Sequence, residues 1–217
     1  MLLTLSRIIA AHLAVLALVI STPLAAHPHV WVSVETTLVY DNGRISGFQN
    51  SWTFDDAYTS MAIEGLDANG DGKYSRDELT ELAQVNIDGL KEFDYFTYPK
   101  LNDEALALGA PRDYWLEHKD GILTLHFFLP LAEPVLAATP GFTFQVFDPT
   151  YFIAFDLAEK DPIKLAAGAP PECHIDIGVP KADTAEAEKL GEAFFQQFGG
   201  DIGIGLAKTV SVKCSSS

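Results

Sequence analysis

Residues 30–54 read V-W-V-S-V-E-T-T-L-V-Y-D-N-G-R-I-S-G-F-Q-N-S-W-T-F. The first half alternates with a period of two. Val30, Val32, Val34, Thr36, Leu38 and Tyr40 fall on one face, and His29, Trp31, Ser33, Glu35 and Thr37 on the other. Successive side chains of a strand leave opposite faces, so this is a strand with one face in a core. Asp41-Asn42-Gly43 supplies the backbone freedom of a tight hairpin turn. Arg44 to Trp52 then returns as an antiparallel partner.

The same signals recur downstream. Phe93 to Pro99 is aromatic and reads as a strand. Tyr114 to His118, a Lys119-Asp120-Gly121 turn and Ile122 to Leu129 make a second hairpin, which Pro130 ends. Phe142 to Phe147 and Tyr151 to Phe155 read as strands separated by Asp148-Pro149, and Ala166 to Pro171 as a linker. Thr184 to Phe198 carries Ala187, Leu190, Phe194, Phe195 and Phe198 at helical spacing and stops at Gly199-Gly200. Leu206 to Cys214 reads as a last strand. The expected fold is α+β: sandwich-like antiparallel hairpins, a helix–loop–helix insertion at about 54–90 and a C-terminal helix.

The insertion centres on Asp67 to Glu78, D-A-N-G-D-G-K-Y-S-R-D-E. It matches the twelve-residue calcium loop of an EF-hand at the positions that carry chemistry. Asp67, Asn69 and Asp71 stand at positions 1, 3 and 5, and Gly72 at the sharp turn of position 6. Lys73 offers its carbonyl at position 7, Ser75 its hydroxyl at position 9 and Glu78 two oxygens at position 12. Leu79, Leu82, Ala83, Ile87 and Leu90 mark the buried stripe of an exiting helix. Tyr58, Met61, Ala62 and Leu66 mark a shorter entering one. Ser75-x-x-Glu78 alone is also a capping box, but that reading leaves Asp67, Asn69, Asp71 and Gly72 unexplained. Three carboxylates and a lone loop predict weak binding, about 10⁻⁵ to 10⁻³ M.

The chain has 217 residues, of which 48% are hydrophobic, enough for a core. A formal net charge of −16 argues against nucleic-acid binding. Met1 to Ala26 reads as a secretory signal: Arg7 is its only charge, Ile8 to Ile20 is apolar, and Ser21-Thr22-Pro23 precedes Leu24-Ala25-Ala26. An uncleaved anchor is the alternative. After cleavage, residues 27–217 form one secreted domain with no stable membrane insertion. Cys173 and Cys214 then read as one disulfide, an even pair in an oxidising compartment. The rival reading, Cys173 and His174 as soft-metal ligands, lacks nearby partners.

Cleavage after Ala26 would make His27 the terminal residue, with an amine of pKa about 7.7. His27 and His29, two apart, leave one face of an extended chain. Imidazole suits zinc, nickel, cobalt or copper. Pro28 has no N–H, which excludes a terminal copper or nickel site built on consecutive deprotonated amides. A clamp by the amine and ring of His27, joined by His29 or a distant group, remains. His126, Glu35 and Asp148 are candidate third ligands. No nucleophile elbow, phosphate loop or thiol motif is present, so no catalytic residues are expected. A copper-dependent oxidase would need a ligand set that the sequence does not display.

His27-Pro28-His29-Val30-Trp31-Val32, Trp52-Thr53-Phe54-Asp55, the acidic loop, Leu125-His126-Phe127-Phe128-Leu129-Pro130-Leu131 and Phe147-Asp148-Pro149-Thr150-Tyr151-Phe152 together resemble one bacterial family. It is an uncharacterised family labelled as a periplasmic component of an ABC-type transport system, a domain of unknown function. Such proteins are often encoded beside nickel, cobalt or zinc transporters. The resemblance implies a periplasmic, calcium-binding accessory to a membrane transporter of a divalent transition metal, with His27 and His29 as candidate contacts to the cargo. The other expectation is a calcium-stabilised structural or interaction module with no metal cargo.

Overall fold

The computed structural model describes residues 28–180, 205 and 207–214. The signal segment 1–26, His27 and the helix expected at 184–198 lie outside the described residues. Strand β1 (Val30–Asp41) pairs antiparallel with β2 (Arg44–Phe54) across the Asn42-Gly43 turn. Both turn residues have positive φ, 48° and 73°, which suits Asn and Gly and few others. Burial alternates along β1 as the sequence pattern demands, with Val32, Val34 and Leu38 sealed inside and Trp31, Ser33 and Glu35 outward.

Two short helices follow, α1 (Asp56–Ala62) and α2 (Thr80–Leu90). Then come β3 (Thr97–Leu101), β4 (Glu104–Ala105), β5 (Arg112–Lys119), β6 (Ile122–Leu136) and β7 (Phe142–Val146). The remaining strands are β8 (Ile153–Leu157), β9 (Ile163–Leu165), β10 (Cys173–Ile177) and β11 (Val210–Cys214). They form two sheets: β5-β6-β2-β1-β8, with β9 also on β1, and β10-β11-β7-β3-β4. The inner faces meet through aromatic rings. Phe48 of the first sheet lies 5.0 Å from Phe144 and 6.4 Å from Phe142 of the second. One buried cluster draws on both sheets and on Leu79, Ala83 and Ile87 of the helical insertion. Each large ring buried there contributes on the order of 2–3 kcal/mol of transfer free energy.

The architecture is the expected α+β, mostly antiparallel, with corrections of detail. Pro130 does not end β6; the strand runs on to Leu136. A proline lacks only the N–H, and its carbonyl is used here, accepting from the Gly109 amide at 2.8 Å. Gly47 stands opposite, and a Cβ there would lie 2.4 Å from the Leu129 carbonyl and 2.7 Å from the Pro130 Cα. The stretch from Phe93 is not yet a strand. Residues 91–96 form a tight turn in which Asp94, Tyr95 and Phe96 all have φ near +50°, and pairing begins only at Thr97. Met61 faces solvent rather than the core; Thr59 is the residue of α1 that is buried, and its hydroxyl accepts from the Leu123 amide. Finally, β8 and β9 lie parallel to β1. Cys173 and Cys214 face each other directly on β10 and β11 and are joined by a disulfide.

Candidate functional site: the acidic loop and its surroundings

The loop between α1 and α2 is held by its own acidic side chains. Asp67 Oδ1 accepts from the Gly70 and Asp71 amides at 2.8 and 3.1 Å, and Oδ2 from the Gly72 amide at 2.9 Å. Asn69 Oδ1 accepts from the Asp71 amide and Asp71 Oδ1 from the Lys73 amide, both at 2.8 Å. Glu78 closes the ring: Oε1 accepts from the Ala68 amide at 3.1 Å and Oε2 from the Ser75 amide at 2.8 Å. Gly70 and Gly72 have φ of +73° and +75°, a region where L side chains are strained. These turns wind the chain around the carboxylates.

Ser75 and Glu78 form the reciprocal capping box, with the Glu78 amide donating to Ser75 Oγ at 3.3 Å. Hydrogen bonds from the Ser75 amide and hydroxyl, with a smaller share from Ala68, hold the Glu78 carboxyl below its ordinary value. The groups available are carboxylate, amide, hydroxyl and carbonyl oxygens, the donor chemistry a hard divalent cation requires. Among the described residues no three His, Cys, Asp or Glu side chains stand together as a metal-holding group. Asp67, Asp71 and Glu78 each turn toward backbone amides, while Asn69, Ser75 and the Lys73 carbonyl are oxygen donors of other kinds.

The loop is docked rather than free-standing. Tyr74 meets His118 of β5 edge-on at 4.8 Å, and Gln84 of α2 accepts from the Tyr114 hydroxyl. The Arg76 guanidinium lies 3.8 Å over the Trp115 ring, which stacks at 4.1 Å on His126 of β6. On the other side, Asp55 caps α1 through the Tyr58 amide and also accepts from the Trp31 amide, both at 2.7 Å. Sequence reading missed Arg76 and Trp115 because a cation and a ring on separate elements carry no local signal. Tyr74, an aromatic at position 8, was the one visible hint that the loop packs on something.

The candidate third ligands do not converge on His29. Its ring packs 4.8 Å from Phe152 at the start of β1. Glu35 lies six residues on, about 20 Å along the strand, beside Lys164 at 3.6 Å. His126 shares the cross-strand row of Glu35 and Ser51. Its Nδ1 is 2.9 Å from Ser51 Oγ, and its Nε2 is 3.7 Å from Glu117, beyond hydrogen-bond length. Burial lowers the His126 pKa against the opposing pull of Glu117. Asp148 is buried, and both its oxygens serve a turn: Oδ1 takes the Thr150 amide and hydroxyl, Oδ2 the Ile153 amide. His27 lies outside the described residues. No helix among the described residues is long and apolar enough to cross a membrane.

Comparison with known proteins fixes kinship. Over 152 residues the chain is 29% identical to an uncharacterized protein of Haemophilus influenzae, a match covering 70% of this chain and 73% of that one. Over 99 residues it is 32% identical to an uncharacterized 15.5 kDa protein in the trpE 3' region of Spirochaeta aurantia, covering 46% and 70%. Residues 12–214 match the family described as protein of unknown function (DUF1007). A match across nearly the whole chain places this protein in the DUF1007 family.

Proposed function

We propose that this chain is an exported, periplasmic calcium-binding protein that assists a membrane system for a divalent transition metal, zinc, nickel or cobalt. The calcium would sit among Asp67, Asn69, Asp71, the Lys73 carbonyl, Ser75 and Glu78. The observation that carries this reading is the loop's shape. Two left-handed glycines and six backbone amides gather oxygen donors, and almost nothing but oxygen donors, around one turn. Calcium would supply charge balance for three carboxylates and tie the two helices to the β core. His27 and His29 are the contacts proposed for the cargo metal, on the family resemblance and imidazole chemistry.

A second reading keeps the calcium and drops the cargo: a calcium-stabilised interaction module. The exposed apolar side chains of Val85, Phe93 and Phe152 favour it. One calorimetric experiment separates the two. Chelator-stripped secreted protein is titrated with calcium, then with zinc, nickel and copper, beside the His27→Ala/His29→Ala double variant. Calcium heat in both proteins, with transition-metal heat in wild type alone, is the expected result. Equal transition-metal binding by the variant removes the histidines, and absence of calcium heat removes the loop.

A further inference from the structure

Helix α2 turns Ala83 and Ile87 to the core, while Leu82 and Leu90, expected in the same buried stripe, are only half-buried. Leu82, Val85 and Leu90 line a groove of about 550 Å³ that continues over Tyr58, Phe93 and Phe152. Val85 is 66% exposed, Phe93 45% and Phe152 46%. Gly89 lies in the same wall with open space where a side chain would be. A helix interior disfavours glycine, and its use here leaves the groove open at mid-length.

The rim has a sign. Glu81, Asp88 and Glu92 share a helical flank with Val85 of the groove wall, Asp94 follows them in the next turn, and Lys91 is the cation of residues 81–94. All of these charges are exposed. The whole chain carries −16, so an acidic partner or an anionic lipid surface would be repelled. A second copy of the chain would bring the same acidic rim against this one. An apolar groove with an acidic edge is complementary to a helix with aliphatic side chains on one face and Lys or Arg beside them. We propose that this groove binds a basic amphipathic helix of a protein partner.

The test uses the secreted protein and a fluorescent Lys/Leu amphipathic peptide of roughly fourteen residues, about 21 Å of helix. Gly89→Leu fills the groove without changing charge, and leucine is a better helix former, so the fold is kept. Asp88→Asn/Glu92→Gln neutralises the rim; Asp103→Asn/Glu104→Gln removes the same charge at the distant β4 hairpin. Gly89→Leu should weaken binding at least about tenfold. The rim pair should weaken it at roughly 50 mM salt but little at roughly 500 mM, and the distant pair should leave it unchanged. The proposal is overturned by no binding to wild type, by equal binding of a Glu/Leu peptide, or by equal losses from both charge pairs. It is also overturned if Gly89→Leu binds like wild type, or if wild type self-associates in sedimentation and Gly89→Leu does not, since a second copy would then be the occupant.

Discussion

Replacing Asp67 with alanine separates the loop's own cohesion from the cohesion an ion would add. Asp67 receives three backbone amides, from Gly70, Asp71 and Gly72. These amides are at the surface, so water takes them over in the variant. The loss without metal is therefore at the low end for hydrogen bonds, about 1–2 kcal/mol for the three together. Calcium at about 10 mM against a Kd near 10⁻⁴ M adds about 2.7 kcal/mol to wild type by mass action. In a domain of this size that corresponds to roughly 5–10 °C in the midpoint. Scanning calorimetry of both proteins, with calcium and with chelator, reads the two components separately. Wild type should melt well above its chelated form, while Asp67→Ala should melt below wild type in chelator and gain nothing from calcium. A wild-type midpoint indifferent to calcium would refute the ion, and a calcium-dependent rise that survives in Asp67→Ala would put the ion elsewhere.

Gly47→Ala should destabilise by about 1–3 kcal/mol in urea unfolding, although alanine is usually no worse than glycine in a strand, because its methyl meets backbone atoms that cannot move aside; a midpoint at or above wild type would contradict the close approach. The half-buried His126 has a folded pKa below its ordinary 6.5, so its contribution is intact above 6.5 and is lost as pH falls from there through the folded value. Wild type should thus lose more stability between pH 7.5 and 5.5 than His126→Gln does, as measured by thermal midpoints at both pH values. Breaking the Cys173–Cys214 link, which spans 41 residues, should cost about 4 kcal/mol in the chain-entropy model. Cys173→Ala/Cys214→Ala tests this against wild type in denaturant, and equal midpoints would show that the link constrains little.

What could be read from the sequence was what local chemistry specifies. The alternation from Val30 to Tyr40 named the buried face of β1 residue by residue, because strand geometry leaves no other face for those side chains. Gly72, Asp67 and Glu78 announced a tight acidic turn, and an even cysteine pair announced its bond. Long-range relations left no local trace. Nothing in Ile153–Leu157 marks it as a parallel partner of β1 rather than half of another hairpin. Pro130 was misread because its missing N–H is harmless where Gly47 and Gly109 approach it. The left-handed run at Asp94, Tyr95 and Phe96 defies residue preference altogether. It reverses the chain between α2 and β3, and packing overrides propensity there.

The parallel pairing of β1 has a further consequence for how the molecule comes together. Strands β1 and β2 are adjacent in the chain, so their hairpin needs only the Asn42-Gly43 turn to pair. The other margin of β1 must wait for Ile153–Leu157 and Ile163–Leu165, roughly 120 residues later in synthesis. Until then β1, with its Val30–Tyr40 apolar face, presents a bare row of amides and carbonyls, an invitation to intermolecular sheet growth. Truncations ending before residue 153 should accordingly clump, while a chain reaching residue 165 carries its own seal.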